Sequence, residues 1–73
     1  MTTVRLYTHT RNTRIRHAEL SRNEYAPDEE SALALARNLL LSCAWSAFAT
    51  VLTDAECIYL DRQGREMTRT KRG

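Results

Sequence analysis

One segment of the chain, "PDEESALALARNLLLS" at residues 27–42, restricts the fold most strongly because its apolar residues recur at helical spacing. Pro27 suits the first turn of a helix, and the acidic residues after it suit the positive end of the helix dipole. At about 100° per residue, one wide arc collects apolar side chains. They are Ala32, Leu33, Leu35, Ala36, Leu39, Leu40, Cys43, Ala44 and Ala47. The pattern predicts a single long helix over residues 28 to about 44, packed by this arc on a sheet.

The residues before the helix are typical of a strand pair. In "TVRLYTHT" the apolar Val4 and Leu6 alternate with Arg5 and Tyr7, which predicts a half-buried strand. The polar "TRNT" predicts a turn, and "RIRHAEL" predicts a second strand. Because the alternation breaks in the second strand, we expect a bulge or a strand end near His17.

The residues after the helix predict further short strands, in "AFATVLT", "CIYL" and "REMTR". The segment "DAE" is expected to turn between the first two. In "DRQG", Gly64 stands where a type I turn followed by a glycine bulge requires a positive φ. The tail "TKRG", residues 70–73, is expected to fray.

These segments together predict one small α+β domain over residues 1–73. Its order is ββαββ or ββαβββ, a single antiparallel sheet with one amphipathic helix packed on one face. A hydrophobic fraction of 42% and a charged fraction of 27% are those of a chain that folds. A domain of 73 residues removes only about 60% of its surface from water, so its core is thin. We expect function on the surface, and we interpret the protein as a binder and not as an enzyme.

Several classes of segment are missing from the sequence. No apolar run reaches the roughly 18 residues that span a bilayer, and "MTTVRLYTH" lacks the apolar core of a signal peptide. We therefore expect a cytoplasmic protein with no membrane partner. Cys43 and Cys57 are too few for a disulfide scaffold and are not spaced as zinc ligands, so we expect two reduced, buried thiols. No metal or other cofactor is indicated.

The net charge of +2 conceals a strong segregation of charge along the chain. Residues 1–22 carry a net charge of +4, and residues 23–30 carry −4. Residues 31–61 carry −2, and residues 62–73 carry +4. Ten of the eleven basic residues are arginine, which suits bidentate contacts with phosphate or carboxylate. Both basic ends are therefore candidate contact surfaces.

The arginines of the first hairpin could present a row of charges on one sheet face. The alternative is that the charges only protect an edge strand from aggregation. Tyr7 and Tyr59 are either stacking groups beside the arginines or partly buried sheet tyrosines. His9 and His17 have no cysteine, serine or carboxylate at an interpretable spacing, which favours a structural interpretation over a catalytic one. The candidate partner-binding arginines are Arg5, Arg14, Arg16, Arg62, Arg65 and Arg69.

Leu41 and Trp45 are the other candidate contact. They fall on the polar side of the predicted helix, four residues apart, and would form a second apolar patch. Tryptophan is enriched at interface hot spots, which favours a partner contact. The alternative is that the helix ends near Cys43 and Trp45 turns into the core.

Over most of its length the chain resembles several very small phage and mobile-element proteins, including some anti-CRISPR proteins. The resemblance lies in the strand pair, the helix "PDEESALALARNLL" and the closing hairpin "ATVLTDAECIYLDRQG". The resemblance is one of architecture, with no shared motif. It implies a stoichiometric inhibitor, in a bacterial host cell, that docks on a protein or protein–RNA defence complex such as a CRISPR effector. Such a protein blocks the access of guide, target or nuclease. Because the chain is weakly basic, imitation of DNA by its whole surface is not implied.

Two functional classes remain open. The first is the inhibitor of a host nucleoprotein complex, and the second is a small nucleic-acid-binding regulator that lays a basic sheet face on a phosphate backbone. We expect the first, because the net charge is small and the helix is not basic. Binding to a phosphate backbone weakens by orders of magnitude as salt rises, whereas a mixed protein interface weakens much less. We expect a monomer or a weak homodimer.

Overall fold

A computed structural model describes residues 1–9 and 18–72. The elements are β1 (Thr2–His9), β2 (Ala18–Ala26), α1 (Glu29–Ser42), β3 (Ser46–Leu52), β4 (Glu56–Leu60) and β5 (Glu66–Lys71). The strands form one antiparallel sheet in the order β2-β1-β3-β4-β5. The predicted fold class is confirmed, in its five-stranded form ββαβββ.

The helix begins and ends at defined capping contacts. The Oδ1 atom of Asp28 accepts a hydrogen bond from the backbone N–H of Ser31 at 2.8 Å, which satisfies one of the free donors of the first turn. At the other end Cys43 is extended, and its N–H donates to the carbonyl of Leu39 at 3.1 Å. The helix is therefore about two residues shorter than predicted at its C-terminal end.

The core lies between α1 and the face of the sheet that it covers, here called the helix side. From α1, Ala32, Ala36 and Leu40 are buried, as the predicted arc requires. The small alanines let the helix lie close over β1 and β3, the two strands it mainly contacts. The buried residues of the sheet are Val4, Leu6, Ala26, Ala49, Val51, Ile58 and Leu60.

The second strand differs from its prediction in length and in the position of its irregularity. It continues six residues beyond Leu20, to Ala26. Leu6 pairs with Arg22 whereas Tyr7 pairs with Leu20, so Ser21 is the extra residue of a bulge. The predicted turn and the predicted break near His17 fall in residues 10–17, outside the described residues.

The turn between β4 and β5 has the predicted glycine conformation. Gly64 has a φ of +82°, and its N–H donates to the carbonyl of Asp61 at 2.9 Å. The side chain of Arg37 in α1 lies over this turn, and its Nε donates to the Gly64 carbonyl at 3.0 Å. A glycine is therefore required by conformation and by the close approach of Arg37.

The last strand extends into residues 70–73, the segment predicted to fray, and the fraying itself stays a prediction. Thr70 pairs with Cys57 and Lys71 pairs with Glu56, because β4 offers two further positions for pairing. The N–H of Arg72 then donates to the Ala55 carbonyl at 2.9 Å. Within the described residues, no helix is both long enough and apolar enough to cross a bilayer.

Candidate binding surface

The sheet leaves one face without a helix over it, here called the open face. Strand pairing fixes which side chains it carries, because directly opposed residues share a face and alternate residues along a strand do too. They are Thr3, Arg5, Tyr7 and His9 of β1, Ala18, Leu20, Asn23 and Tyr25 of β2, Phe48, Thr50 and Leu52 of β3, Cys57 and Tyr59 of β4, and Thr68 and Thr70 of β5. Among these described residues there is no carboxylate, and Arg5 is the only arginine.

Three rings cross the middle of the open face as an aromatic ladder of Tyr7, Phe48 and Tyr59. Tyr7 and Phe48 are directly opposed on β1 and β3, and their ring centroids lie 4.6 Å apart at an interplanar angle of 15°. Phe48 and Tyr59 lie 5.0 Å apart at 29°. All three side chains are half-buried. The alternative that Tyr7 and Tyr59 are partly buried sheet tyrosines is thus confirmed.

The stacking within the ladder determines what the rings offer to a partner. Both faces of Phe48 are covered, and Tyr7 and Tyr59 each have one face against Phe48. The ring faces therefore point mainly at one another, and the ladder presents mainly ring edges. Ring edges carry partial positive charge, whereas ring faces are the surfaces on which nucleic-acid bases stack.

Arg5 stands beside the ladder in the middle row of the open face. Its direct neighbours across the strands are Asn23 on β2 and Thr50 on β3, both uncharged. The Nε atom of Arg5 is buried and has no hydrogen-bond partner among the described residues. A buried donor without a partner is destabilising. Because the chain shields this Nε, an acceptor supplied from outside would bind the terminal nitrogens of the guanidinium.

The topology brings several other predicted residues to one end of the sheet, here called the loop end and defined by His9, Ala18, Trp45 and residues 61–65. The chain leaves β1 at His9 and enters β2 at Ala18, while Thr8 pairs with Ser46 at the start of β3. The N–H of His9 donates to the Trp45 carbonyl at 2.8 Å. Leu60 closes β4 opposite Ala49, so the turn containing Arg62 and Arg65 is also at this end. Arg14 and Arg16 lie outside the described residues.

Within the turn at the loop end, the two arginines differ in their contacts. The Nε of Arg65 lies 2.9 Å from Oδ2 of Asp61, although the Arg65 side chain is 72% exposed. The backbone hydrogen bond from Arg65 holds the pKa of Asp61 below its ordinary value, with the Arg65 side chain adding to the effect. Arg62 is exposed. Both arginines are accessible, and the charge of Arg65 is partly balanced within the chain.

Arg69 is placed differently from the other candidate arginines. It lies on the helix side, where its guanidinium contacts Glu66 and lies 3.1 Å from Glu29 of α1 and 3.0 Å from Glu56 of β4. The hydrogen bond to Glu66, followed by that to Glu29, raises the pKa of Arg69, and the same contact lowers the pKa of Glu66. Arg69 therefore joins the helix start to the edge of the sheet and is not part of the open face.

Leu41 and Trp45 are both exposed, at 73% and 51%. Because α1 ends at Ser42, Trp45 lies beyond the helix. Leu41 and Trp45 are therefore not on successive turns of one helix, as was predicted. The alternative that the helix ends near Cys43 is confirmed, and the alternative that Trp45 turns into the core is wrong. The two side chains flank the C-terminal end of α1, close to the loop end.

The remaining candidate groups are the two cysteines and the two histidines. No group of three or more potential metal ligands occurs in the described part of the chain. Cys43 and Cys57 are both free and half-buried, not fully buried as expected. His9 is exposed at the end of β1, and His17 lies outside the described residues.

Sequence reasoning missed several members of the open face. Phe48 completes the ladder, and Asn23 and Tyr25 come from the part of β2 that was not predicted. The signal for Phe48 is its alternation with Ala49 in "AFATVLT", which places it in phase with Thr50 and Leu52.

Comparison of the chain with models of protein families, with curated proteins and with solved structures finds no match.

Proposed function

We propose that this chain is a non-enzymatic inhibitor that docks through its open face on a host protein within a nucleoprotein defence complex and blocks that complex. The observation that carries the proposal is the composition of the open face: three stacked rings, one central arginine with an unpartnered Nε, and no carboxylate among its described residues. Aromatic residues and arginine are the types enriched at the centres of protein interfaces. The resemblance to small phage inhibitors suggests the class of partner.

The geometry of the ladder favours a protein partner over nucleic acid for this face. A sheet that binds single-stranded nucleic acid offers ring faces for stacking, whereas most ring faces here are covered within the ladder. One described arginine on the open face can neutralise few phosphates. Ring edges and a guanidinium are better matched to carbonyl and carboxylate oxygens.

A second candidate function, binding of nucleic acid, is favoured by a separate observation at the loop end. The turn that carries Arg62 and Arg65 lies at the same end of the sheet as His9 and Ala18. The chain segment between His9 and Ala18 contains Arg14 and Arg16. Two basic segments at one end are an electrostatic feature that a phosphate backbone could use. This candidate predicts a steep dependence of affinity on salt.

Capture from bacterial lysate with the tagged protein tests the proposal when it is repeated after nuclease digestion. We expect nuclease-resistant capture that Arg5→Glu abolishes. Arg22→Glu is the matched control, because it makes the same change of charge on the helix side of the neighbouring strand. Equal capture by Arg5→Glu and the unaltered protein would contradict the proposal.

The second candidate has its own variant. The double change Arg14→Glu with Arg16→Glu is expected to leave nuclease-resistant capture intact if the open face is the contact. Loss of capture in that variant alone, together with capture that nuclease abolishes, would establish the nucleic-acid function. A thermal melt of each variant distinguishes loss of binding from loss of the fold.

A further inference from the structure

We propose that the open face binds a short extended segment of an acidic protein, with one carboxylate of the segment paired to Arg5 and its apolar side chains covering the aromatic ladder. This inference rests on the proposed docking function and names the chemistry of the partner. It commits to a segment of another protein and not to a second copy of this chain or to a nucleic-acid strand.

Arg5 has no charged neighbour on the open face. Arg5 has a buried Nε without a hydrogen-bond partner, and its cross-strand neighbours Asn23 and Thr50 carry no charge. The described residues of the open face supply no carboxylate to pair with it. A planar carboxylate can accept two parallel hydrogen bonds from a guanidinium, which makes it the best-matched external partner.

Aromatic and aliphatic side chains lie around Arg5 on the open face. Tyr7 is the next residue of β1 on the same face, and the other two rings follow across β3 and β4. Leu52 and the more exposed Leu20 add apolar surface on either side. An extended segment points every second side chain to the same surface, so an acidic residue and an apolar residue two positions apart can face Arg5 and the ladder together.

The area of the open face limits the size of the partner that it can bind. Five strands at about 4.8 Å spacing and about 20 Å of strand length give a face of roughly 400–500 Å². A stable interface needs about 800 Å² from each partner, so this face is small for a dimer but sufficient for a segment that also reaches the loop end. A second copy would also bring no carboxylate to Arg5, because the described residues of the open face include none.

Nuclear magnetic resonance titration of the folded protein tests this proposal with three probes of matched length. They are a peptide with glutamate and leucine two positions apart and serine between them, the same peptide with glutamine for glutamate, and oligothymidine. We expect saturable shifts of the Arg5 Nε–Hε signal and of the ladder ring signals with the first peptide. The glutamine peptide should bind about tenfold or more weakly, because hydrogen bonds to charged groups are the stronger ones.

Variants give a second measurement that does not depend on the peptide series. Arg5→Gln should weaken binding of the glutamate peptide about tenfold or more, while Arg22→Gln should leave it unchanged. Equal binding of the two peptides would overturn the inference, and so would tighter binding of oligothymidine than of the glutamate peptide, measured by the Arg5 and ladder signals. A dimer found by size exclusion whose formation broadens the same signals would overturn it too. A lysate capture that depends on Arg5 while the glutamate peptide fails would refute only this inference and leave the docking function standing.

Discussion

At the residue scale, Gly64 and Leu40 show how little freedom a domain of this size has. Gly64 has a positive φ in the β4–β5 turn, and a Cβ built there would lie 2.8 Å from Cγ of Arg37. Leu40 is 2% exposed at the centre of the helix–sheet contact, whereas its neighbour Leu41 is 73% exposed. Adjacent leucines in the sequence therefore have opposite structural roles.

Replacing Gly64 with alanine is expected to destabilise the protein by about 1–2 kcal/mol from the left-handed conformation alone. The contact with Arg37 should add to this loss. Urea denaturation of Gly64→Ala, Arg37→Ala and the double variant measures the coupling. We expect the glycine substitution to cost less in the Arg37→Ala background; an equal cost in both backgrounds would mean that the Arg37 side chain moves aside freely.

Replacing Leu40 with aspartate is expected to unfold the domain, because it buries an unpaired charge in a thin core. Leu41→Asp is the matched control and should change the free energy of unfolding by no more than about 0.5 kcal/mol. Circular dichroism melting curves of the two variants provide the measurement. A cooperative transition for Leu40→Asp at the wild-type melting temperature would show that the described packing of α1 is wrong.

At the scale of elements, the boundaries of α1 and of the strands depend on side-chain contacts at their ends. Asp28 caps the helix, and Ser46 Oγ donates to the Leu40 carbonyl at 2.8 Å, where α1 gives way to β3. The acidic start of α1 is tied to the β4–β5 pair through Arg69. These contacts explain why one short helix holds a definite position over a five-stranded sheet.

The cap of α1 makes stability depend on pH in a definite direction. The hydrogen bond from the Ser31 backbone N–H lowers the pKa of Asp28 below its ordinary value of 3.8. A carboxyl whose pKa is lower in the folded state contributes stability above its unfolded pKa and loses it as pH falls through the folded pKa. Asp61 and Glu66 act in the same direction. We expect the melting temperature to fall below about pH 4.

Two substitutions at Asp28 separate the cap from its titration. Asp28→Asn keeps an acceptor for the Ser31 N–H and should flatten the loss of melting temperature in acid. Asp28→Ala removes the acceptor and should lower the melting temperature by about 5 °C at neutral pH. If Asp28→Asn melts with the same acid dependence as the unaltered protein, Asp28 does not contribute to it.

At the scale of the whole molecule, the antiparallel sheet separates acidic, basic and aromatic side chains that are interspersed along the sequence. The basic turn at residues 61–65 and the ends of the first two strands meet at the loop end, while the acidic start of α1 lies at the opposite end, beside β5. Carboxylates near the sheet lie on the helix side, and the open face carries the rings.

The positions of the two cysteines give a prediction at this scale. Cys43 precedes β3 at the loop end, and Cys57 pairs with Leu52 at the other end of that strand. The length of β3 separates them by about 20 Å, too far for an intramolecular disulfide. Mass spectrometry after thiol blocking should find two alkylated cysteines. A homogeneous monomer two hydrogens lighter, destabilised by reductant, would contradict the described arrangement of β3 and β4.

Local patterns in the sequence were sufficient for the class of fold. The period of the apolar residues indicates the helix, alternation indicates β1, β3 and β4, and Gly64 marks the last turn, because each signal depends only on nearby residues. The end of α1 was predicted about two residues too far along the chain, because Leu41, Ser42 and Cys43 continue the helical pattern of the sequence. The hydrogen bond from Ser46 to the Leu40 carbonyl marks where the helix gives way to β3. Most of β2 was not predicted because its residues are mainly polar and lack a regular alternation with apolar residues.

The amino-acid sequence by itself determined that the chain forms one helix, several short strands and two basic segments, and it singled out Arg5, Tyr7 and Tyr59 as surface candidates. Only the tertiary structure decided that Arg5 and the rings share one face, that Arg69 lies on the other among carboxylates, and that Phe48 joins the two tyrosines. The physical reason is that strand order and register depend on pairing between distant segments. A shift of one residue would move each of these side chains to the opposite face.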